Sequence, residues 1–219
     1  MSYTFTLDNS YYGDKKDTGF HTVLYRKKTI TLEPGLTVLV GCNGSGKTTF
    51  LNQLKDYLRM DNKKRLEYDN LVDGGSNARG MFAWTGNMEA LSAACCSSEG
   101  ENIDQNLGRF AGKIGNFVRK YMKEEKELFL LFDASDSGLS IDHIVSFRKD
   151  LVDFIVDDLK KKGIDAYFVV SANSFEMARD ARCLDVHNGR YLSFKDYEDY
   201  RAFILKSRQQ KDKRYGWKS

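Results

Sequence analysis

Nine residues constrain this chain more than any others: Gly41-Cys42-Asn43-Gly44-Ser45-Gly46-Lys47-Thr48-Thr49. They follow Leu36–Val40, a run of buried-strand type. They precede Phe50, Leu51, Leu54 and Leu58, which recur at helical spacing. A strand, a glycine-rich turn and an amphipathic helix in that order make a phosphate-binding loop. Glycine reaches backbone angles closed to other residues, so Gly41, Gly44 and Gly46 let the loop amides converge on one anion. The helix N-terminus adds its own unpaired N–H groups. Lys47 is expected to reach the β- and γ-phosphates of a nucleotide, and Thr48 to place its hydroxyl on Mg²⁺. Asn43, Ser45 and Thr49 complete the nucleotide-contacting candidates. The alternative, a glycine-rich turn with a chance Lys-Thr pair, is disfavoured by both flanks.

Leu128-Phe129-Leu130-Leu131-Phe132-Asp133 is a second buried strand ending in a carboxylate. Open α/β sheets bind ligands at the C-terminal ends of their strands. Asp133 is therefore the second candidate Mg²⁺ ligand, direct or through water. Many buried strands end in Asp, and it is the phosphate loop upstream that gives this one its meaning.

The rest of the chain reads as alternating strands and helices. Ser2–Leu7 alternates, with Tyr3, Phe5 and Leu7 on one side, and Val23–Tyr25 and Thr29–Leu32 read as short strands. Asp69–Gly80 reads as loop, Met88–Cys96 as a short helix and Ser97–Glu101 as a polar break. From Ile103 to about Lys126 the apolar spacing predicts a long helix. Ser140 is set to cap a helix to Lys162, with Ile141, Ile144, Val145, Leu151, Val152, Ile155 and Leu159 inward. Ala166–Val170 is a third buried strand, followed by a helix from Ser174 to about Arg182 and short strands at Cys183–Val186 and Tyr191–Phe194. Ser193 and Asp196 form a capping-box pattern before a last helix bearing Tyr197, Tyr200 and Ile204 on one face. The pattern predicts an α/β fold with a mostly parallel sheet, N-terminal antiparallel strands and a small helical lobe. One nucleotide-binding domain over 1–194, with 61–126 as loop and lobe, and a C-terminal helix and basic tail over 195–219 suit 219 residues.

Composition removes other classes. Charged residues are 30% of the chain, and no apolar run exceeds five residues, against the roughly 20 a membrane helix needs. The N-terminus lacks the form of a signal peptide. Cys42, Cys95, Cys96 and Cys183 match no zinc spacing and are expected as free thiols in a reducing cytoplasm. Residues 201–219 hold seven Lys or Arg against one Asp. Tyr215 and Trp217 are interleaved with these cations. The tail suits nucleic-acid phosphates and bases, but a solvated helix end with cations near the dipole's negative pole is the favoured reading. Tyr11, Tyr12 and Tyr25 are candidates to stack on adenine, with core packing as the alternative for each.

GCNGSGKTT over 41–49 resembles the Walker A motif of ATP-binding-cassette (ABC) ATPases, and LFLLFDASDSGLS over 128–140 resembles their Walker B and D-loop. Asp136-Ser137-Gly138-Leu139-Ser140 is most similar to the SMC and RecF-like branch. Val169–Ser174 falls where that family carries its switch-histidine strand, and His187-Asn188-Gly189-Arg190 resembles the hairpin after it. The whole is also similar to small ABC-type ATPases encoded by bacteriophages. The resemblance covers about residues 1–194. It implies a P-loop NTPase fold of ABC type, ATP with Mg²⁺ as cofactors, and an ATP-dependent homodimer. In such a dimer each ATP also touches the partner's signature motif. Ser97–Glu101 resembles that motif, which implies that Ser98 and the Gly100 amide meet a γ-phosphate in trans. Phe110-Ala111-Gly112-Lys113 has the more usual spacing, and Ser98 with Glu101 is also a capping-box pair.

Three features of the family are missing. Ala134 stands where a catalytic glutamate follows the Walker B Asp, and alanine cannot accept a proton. Asn173 stands at the switch-histidine position, where it can hydrogen-bond a γ-phosphate but not carry charge. It also forms a capping-box pattern with Glu176. No Q-loop glutamine is evident among Gln53, Gln105, Gln209 and Gln210. Asp136 is the candidate replacement base; a D-loop hydrogen-bonder is the other reading. Lys47, Asp136 and Asn173 are thus the catalytic candidates. The expectation is ATP binding with slow hydrolysis, as in a dimerisation switch. A small-molecule or nucleotide kinase and a non-catalytic nucleotide-binding subunit of a larger complex are the alternatives.

Overall fold

The computed structural model describes residues 2–9, 24–69, 99–137 and 139–214, with the backbone alone over most of 99–109. Its centre is a six-stranded sheet. The strands are β3 (Gly35–Val40), β4 (Arg65–Asp69), β5 (Glu127–Asp133), β6 (Asp165–Ser171), β7 (Arg182–Asp185) and β8 (Arg190–Leu192). Their spatial order is β4-β5-β6-β3-β7-β8, parallel throughout except for the β7–β8 hairpin. β1 (Tyr3–Thr6) and β2 (Thr29–Leu32) form a separate antiparallel pair. This is a P-loop NTPase fold.

The nearly continuous apolar runs of β3, β5 and β6 follow from burial on both faces. Along β5, Leu128, Leu130 and Phe132 join one core, while Phe129 and Leu131 join the other. The second core holds Phe50, Leu51, Leu54 and Leu58 of α1 (Lys47–Met60) and Tyr3, Phe5 and Leu7 from β1 and its end. The first core holds Phe110, Ile114 and Phe117 of α2 (Glu99–Tyr121) and residues of a long helix over 141–161. It also takes Tyr200 of the last helix, α6 (Tyr197–Arg214).

Several elements differ from expectation. The strand β4 was not legible, because Arg-Leu-Glu-Tyr-Asp lies half-exposed at the sheet edge and shows no alternation. Leu24 and Tyr25 are not in a strand, and Asp69 ends one rather than opening a loop. Glu99–Glu101 belong to α2, so the polar break is helix there, and α2 stops at Tyr121, five residues early. Met88–Cys96 lies outside the described residues. The helix after Ser140 runs as α3 (Ile141–Ser146), a π-helical stretch (Phe147–Asp153) and α4 (Phe154–Lys161). The wider π turns bring Phe147 inward, and Ile141, at the helix start, is 66% exposed. The helix after β6, α5, is only Phe175–Ala178. Its cap is Ser174, whose side chain accepts from the Glu176 amide, not Asn173. Before α6 the box is shifted: Asp196 accepts from the Asp199 amide at 2.9 Å, while Asp199 reaches back to the Lys195 amide. Cys42 and Cys183 are free thiols.

Candidate nucleotide site

The parallel sheet brings the C-terminal ends of β3, β6 and β5 side by side. The phosphate loop leaves β3, Ser171 ends β6 and Asp133 ends β5. Gly41–Thr49 therefore sits one strand away from Asp133, as the motifs required.

Within the loop, the Ser45 amide donates to the Cys42 carbonyl at 3.0 Å and closes a tight turn. Gly46 has φ +105°, and a β-carbon there would stand 3.3 Å from the Tyr25 hydroxyl. Gly41 has φ +148°, and a β-carbon there would collide with the Ser45 side chain. Gly46 precedes α1 without any side-chain cap, and the first turn of α1 carries no acidic residue. A helix end left in this state suits an anion. The Ser45 hydroxyl is buried with no hydrogen-bond partner among the described residues. Thr48 is exposed in the first turn of α1, whereas Thr49 is half-buried and Asn43 and Gly44 are exposed.

Lys47 folds back along the loop, its Nζ donating to the Gly41 carbonyl at 2.7 Å and toward the Cys42 carbonyl at 3.4 Å. Burial holds its pKa below the usual lysine value, against the opposing pull of Cys42, Asp136 and Asp133. An ammonium hydrogen-bonded only to carbonyls, with two carboxylates in range, is poised for phosphate oxygens.

Asp133 is buried, and its Oδ1 accepts from the Ser171 hydroxyl and, at 3.0 Å, from the Ala134 amide. Ala134 also donates to Ser171 Oγ at 3.0 Å and has φ +49°, so its methyl stands on a left-handed backbone. Asp136 is fastened to the segment after β6: its Oδ2 accepts from the Asn173 amide at 2.7 Å and from the Ser174 amide. Its Oδ1 is buried with no hydrogen-bond partner among the described residues. Asn173 is exposed, and its carbonyl accepts from the Tyr200 hydroxyl at 2.7 Å. Burial, then the nearby Asp136, raises the Tyr200 pKa above the usual phenol range.

The structure thus brings Gly41–Thr49, Asp133, Asp136 and Asn173 to one end of the sheet. Ser98 lies outside the described residues, while Gly100 is in the first turn of α2. Phe110–Lys113, the other signature candidate, lies well inside α2 with Phe110 in the core. Tyr25 is fully buried and donates to the Gly46 carbonyl at 2.9 Å, so it supports the loop from below and is not an adenine platform. Tyr11 and Tyr12 lie outside the described residues. Gln53 holds the Asp8 backbone through both ends of its amide and takes no part in the site. Sequence reasoning missed Ser171, Ser207 and Lys211 as partners of the site. Ser207 Oγ accepts from the Cys42 amide at 3.1 Å, and Lys211 donates to the Asn43 carbonyl at 3.2 Å. Lys211, counted with the basic tail, is thus spent on the loop.

These residues fit a nucleoside triphosphate with Mg²⁺: an uncapped helix N-terminus, a partnerless buried hydroxyl, a poised ammonium, an exposed threonine and a carboxylate one strand away. No group of His, Cys, Asp and Glu among the described residues forms a separate metal cluster. No helix among them is long and apolar enough to cross a membrane. Among known protein families, the one described as an AAA domain matches residues 19–213. No curated protein matches the chain. A match over most of the length, on a P-loop fold with its phosphate loop and strand-end carboxylate in register, gives the conclusion: the chain belongs to the AAA-domain family of P-loop ATPases.

Proposed function

We propose that this protein is a slow ATPase that works as an ATP-dependent dimerisation switch. The loop amides and Lys47 hold the phosphates, and Thr48 and Asp133 hold Mg²⁺, which screens the charge of the β- and γ-phosphates. The observation that carries the reading is the state of the acids at the end of β5. Ala134 offers no base, and Asp136 has one oxygen committed to two backbone amides. Its other oxygen is buried with no hydrogen-bond partner among the described residues and is the acidic group nearest the role of the missing base. Loss of a general base costs about 10²–10⁴ in rate, while phosphate positioning survives. Asn173, exposed beside Asp136, is the polar group for a γ-phosphate or its attacking water.

A second copy would complete the site, offering its signature candidates Ser98 and Gly100 to the ATP of the first. An apolar rim supports that closure: Ile141, Tyr197 and Leu205 are exposed around a cavity of about 500 Å³ that Asn173 also lines. Nucleic acid is the proposed partner of the outward cations Lys206 and Arg208. Phage biology is a further setting, taken from the sequence resemblance alone.

Phosphate release from Mg-ATP, measured over a range of protein concentrations with Lys47→Ala as control, tests the reading. Turnover that rises faster than protein concentration and vanishes in the variant is expected. ATP binding without any turnover would overturn the ATPase and leave a nucleotide-binding subunit. Transfer of the phosphate to a nucleoside or nucleotide would replace it with a kinase.

A further inference from the structure

One face of α6 touches both segments that border the candidate nucleotide. Tyr200, Ser207 and Lys211 are spaced by seven and four residues, which at 100° per residue places them within about 20° of one line along the helix. Tyr200 donates to the Asn173 carbonyl, beside Asp136. Two turns later Ser207 Oγ receives the Cys42 amide, and one turn beyond that Lys211 donates to the Asn43 carbonyl. Both side chains lie over loop glycines at ordinary contact range: a β-carbon on Gly44 would stand 3.5 Å from the Lys211 side chain, and one on Gly41 3.6 Å from Ser207 Oγ.

We propose that α6 sets the phosphate loop for its ligand and, through Tyr200, couples that loop to the segment carrying Asn173. Ser207 and Lys211 are positioning residues for nucleotide binding. The inference rests on the nucleotide reading of the loop. A trans peptide points its C=O and N–H to opposite sides. Lys211 draws the Asn43 carbonyl toward the helix, so the Gly44 N–H of the same peptide faces away from it. Ser207 meanwhile accepts from the Cys42 N–H on the helix side, which offsets the desolvation of this buried amide. These two contacts hold the loop, which removes part of the ordering cost of binding. By linkage, a nucleotide that favours this loop geometry favours the docked helix equally. The outer face of α6 then reports the occupancy of the site.

The test combines calorimetric Mg-ATP affinity with hydrogen exchange over 197–214. Lys211→Met and Ser207→Ala are each expected to weaken binding about tenfold, the scale of one charged or buried hydrogen bond. Lys211→Arg should restore affinity to within a few-fold. In the wild type, Mg-ATP should slow exchange in α6, and Lys211→Met should abolish that slowing. Tyr200→Phe keeps the ring in the core and should leave binding and the slowing in α6 nearly intact, while uncoupling exchange over 172–178, followed in the same experiment, from ATP. Thermal unfolding checks that each variant is folded. Folded variants that bind ATP as the wild type does, or exchange in α6 that ignores ATP, would overturn the inference while leaving the nucleotide reading intact. A wild type that binds no ATP would overturn both.

Discussion

At the scale of single residues, the site shows the cost of a buried charge held ready. Lys47 is an ammonium out of water with only carbonyls for partners, and burial lowers its pKa. The unfolded chain therefore holds that proton more tightly. Below the folded pKa, where Lys47 is charged in both states, its burial subtracts from the stability of the nucleotide-free protein. Lys47→Met is expected to leave its melting temperature unchanged or raise it by about 2 °C, while abolishing the upward shift with Mg-ATP. Scanning fluorimetry with and without nucleotide decides this; a marked fall without nucleotide would sink it. Ser171 is the second case. Its hydroxyl orients Asp133 and receives Ala134. Ser171→Ala should weaken the Mg²⁺ dependence of nucleotide binding roughly tenfold, the scale of losing a partner to a metal ligand, which is the role proposed for Asp133. A Mg²⁺ titration at fixed nucleotide measures it, and an unchanged midpoint refutes it. Lys47 was legible because its meaning comes from its neighbours in sequence, and Asp133 because the phosphate loop upstream gives a strand-end carboxylate its meaning. Ser207 and Tyr25 were not, because the atoms they serve lie 165 and 21 residues away.

At the scale of elements, legibility followed burial. β2 was read residue for residue because its exposed and buried residues alternate, and β3, β5 and β6 within one residue at each end because short apolar runs such as Leu-Phe-Leu-Leu-Phe suit a strand covered on both faces. β4 was missed because its half-buried residues leave no periodic trace. The stretch over 147–153 was read as ordinary α-helix, since no sequence signal marks the extra residue in a π turn. α5 is short because the chain turns at once into β7, and two amides before it are already spent on Asp136. α6 was foreseen as a helix, but its role against the loop was hidden by reading its cations as a tail. Asp196 caps this helix. Asp196→Ala should cost about 1 kcal/mol of stability, as removal of such a cap does. Urea denaturation gives the value, and a loss near zero would mean that packing alone starts α6.

At the scale of the whole molecule, alternation of strand and helix was enough to give a parallel α/β fold, but not the strand order. Burial in the two cores also sets the response to pH. It pushes the Cys183 thiol from 9.0 up to about 12 and the Tyr167 phenol from 10.0 up to about 12. Tyr3 is raised too, by burial and then its bond to Asp61. The folded chain holds these protons more firmly than the unfolded one. Their contribution is complete below about pH 9 and is lost as pH rises toward 12. The urea midpoint should fall steadily between pH 9 and 11, and less steeply in Cys183→Ala; a flat profile would refute this. Strand order has a different consequence, for synthesis. β3 carries the phosphate loop, yet pairs only with strands beginning at Asp165 and Arg182. At about 5–20 residues per second on the ribosome, β3 waits roughly 7–26 s for its first neighbour. A nascent chain stopped at residue 160 would carry the whole motif and no pocket. The most recognisable part of the sequence is among the last parts of the molecule to take shape.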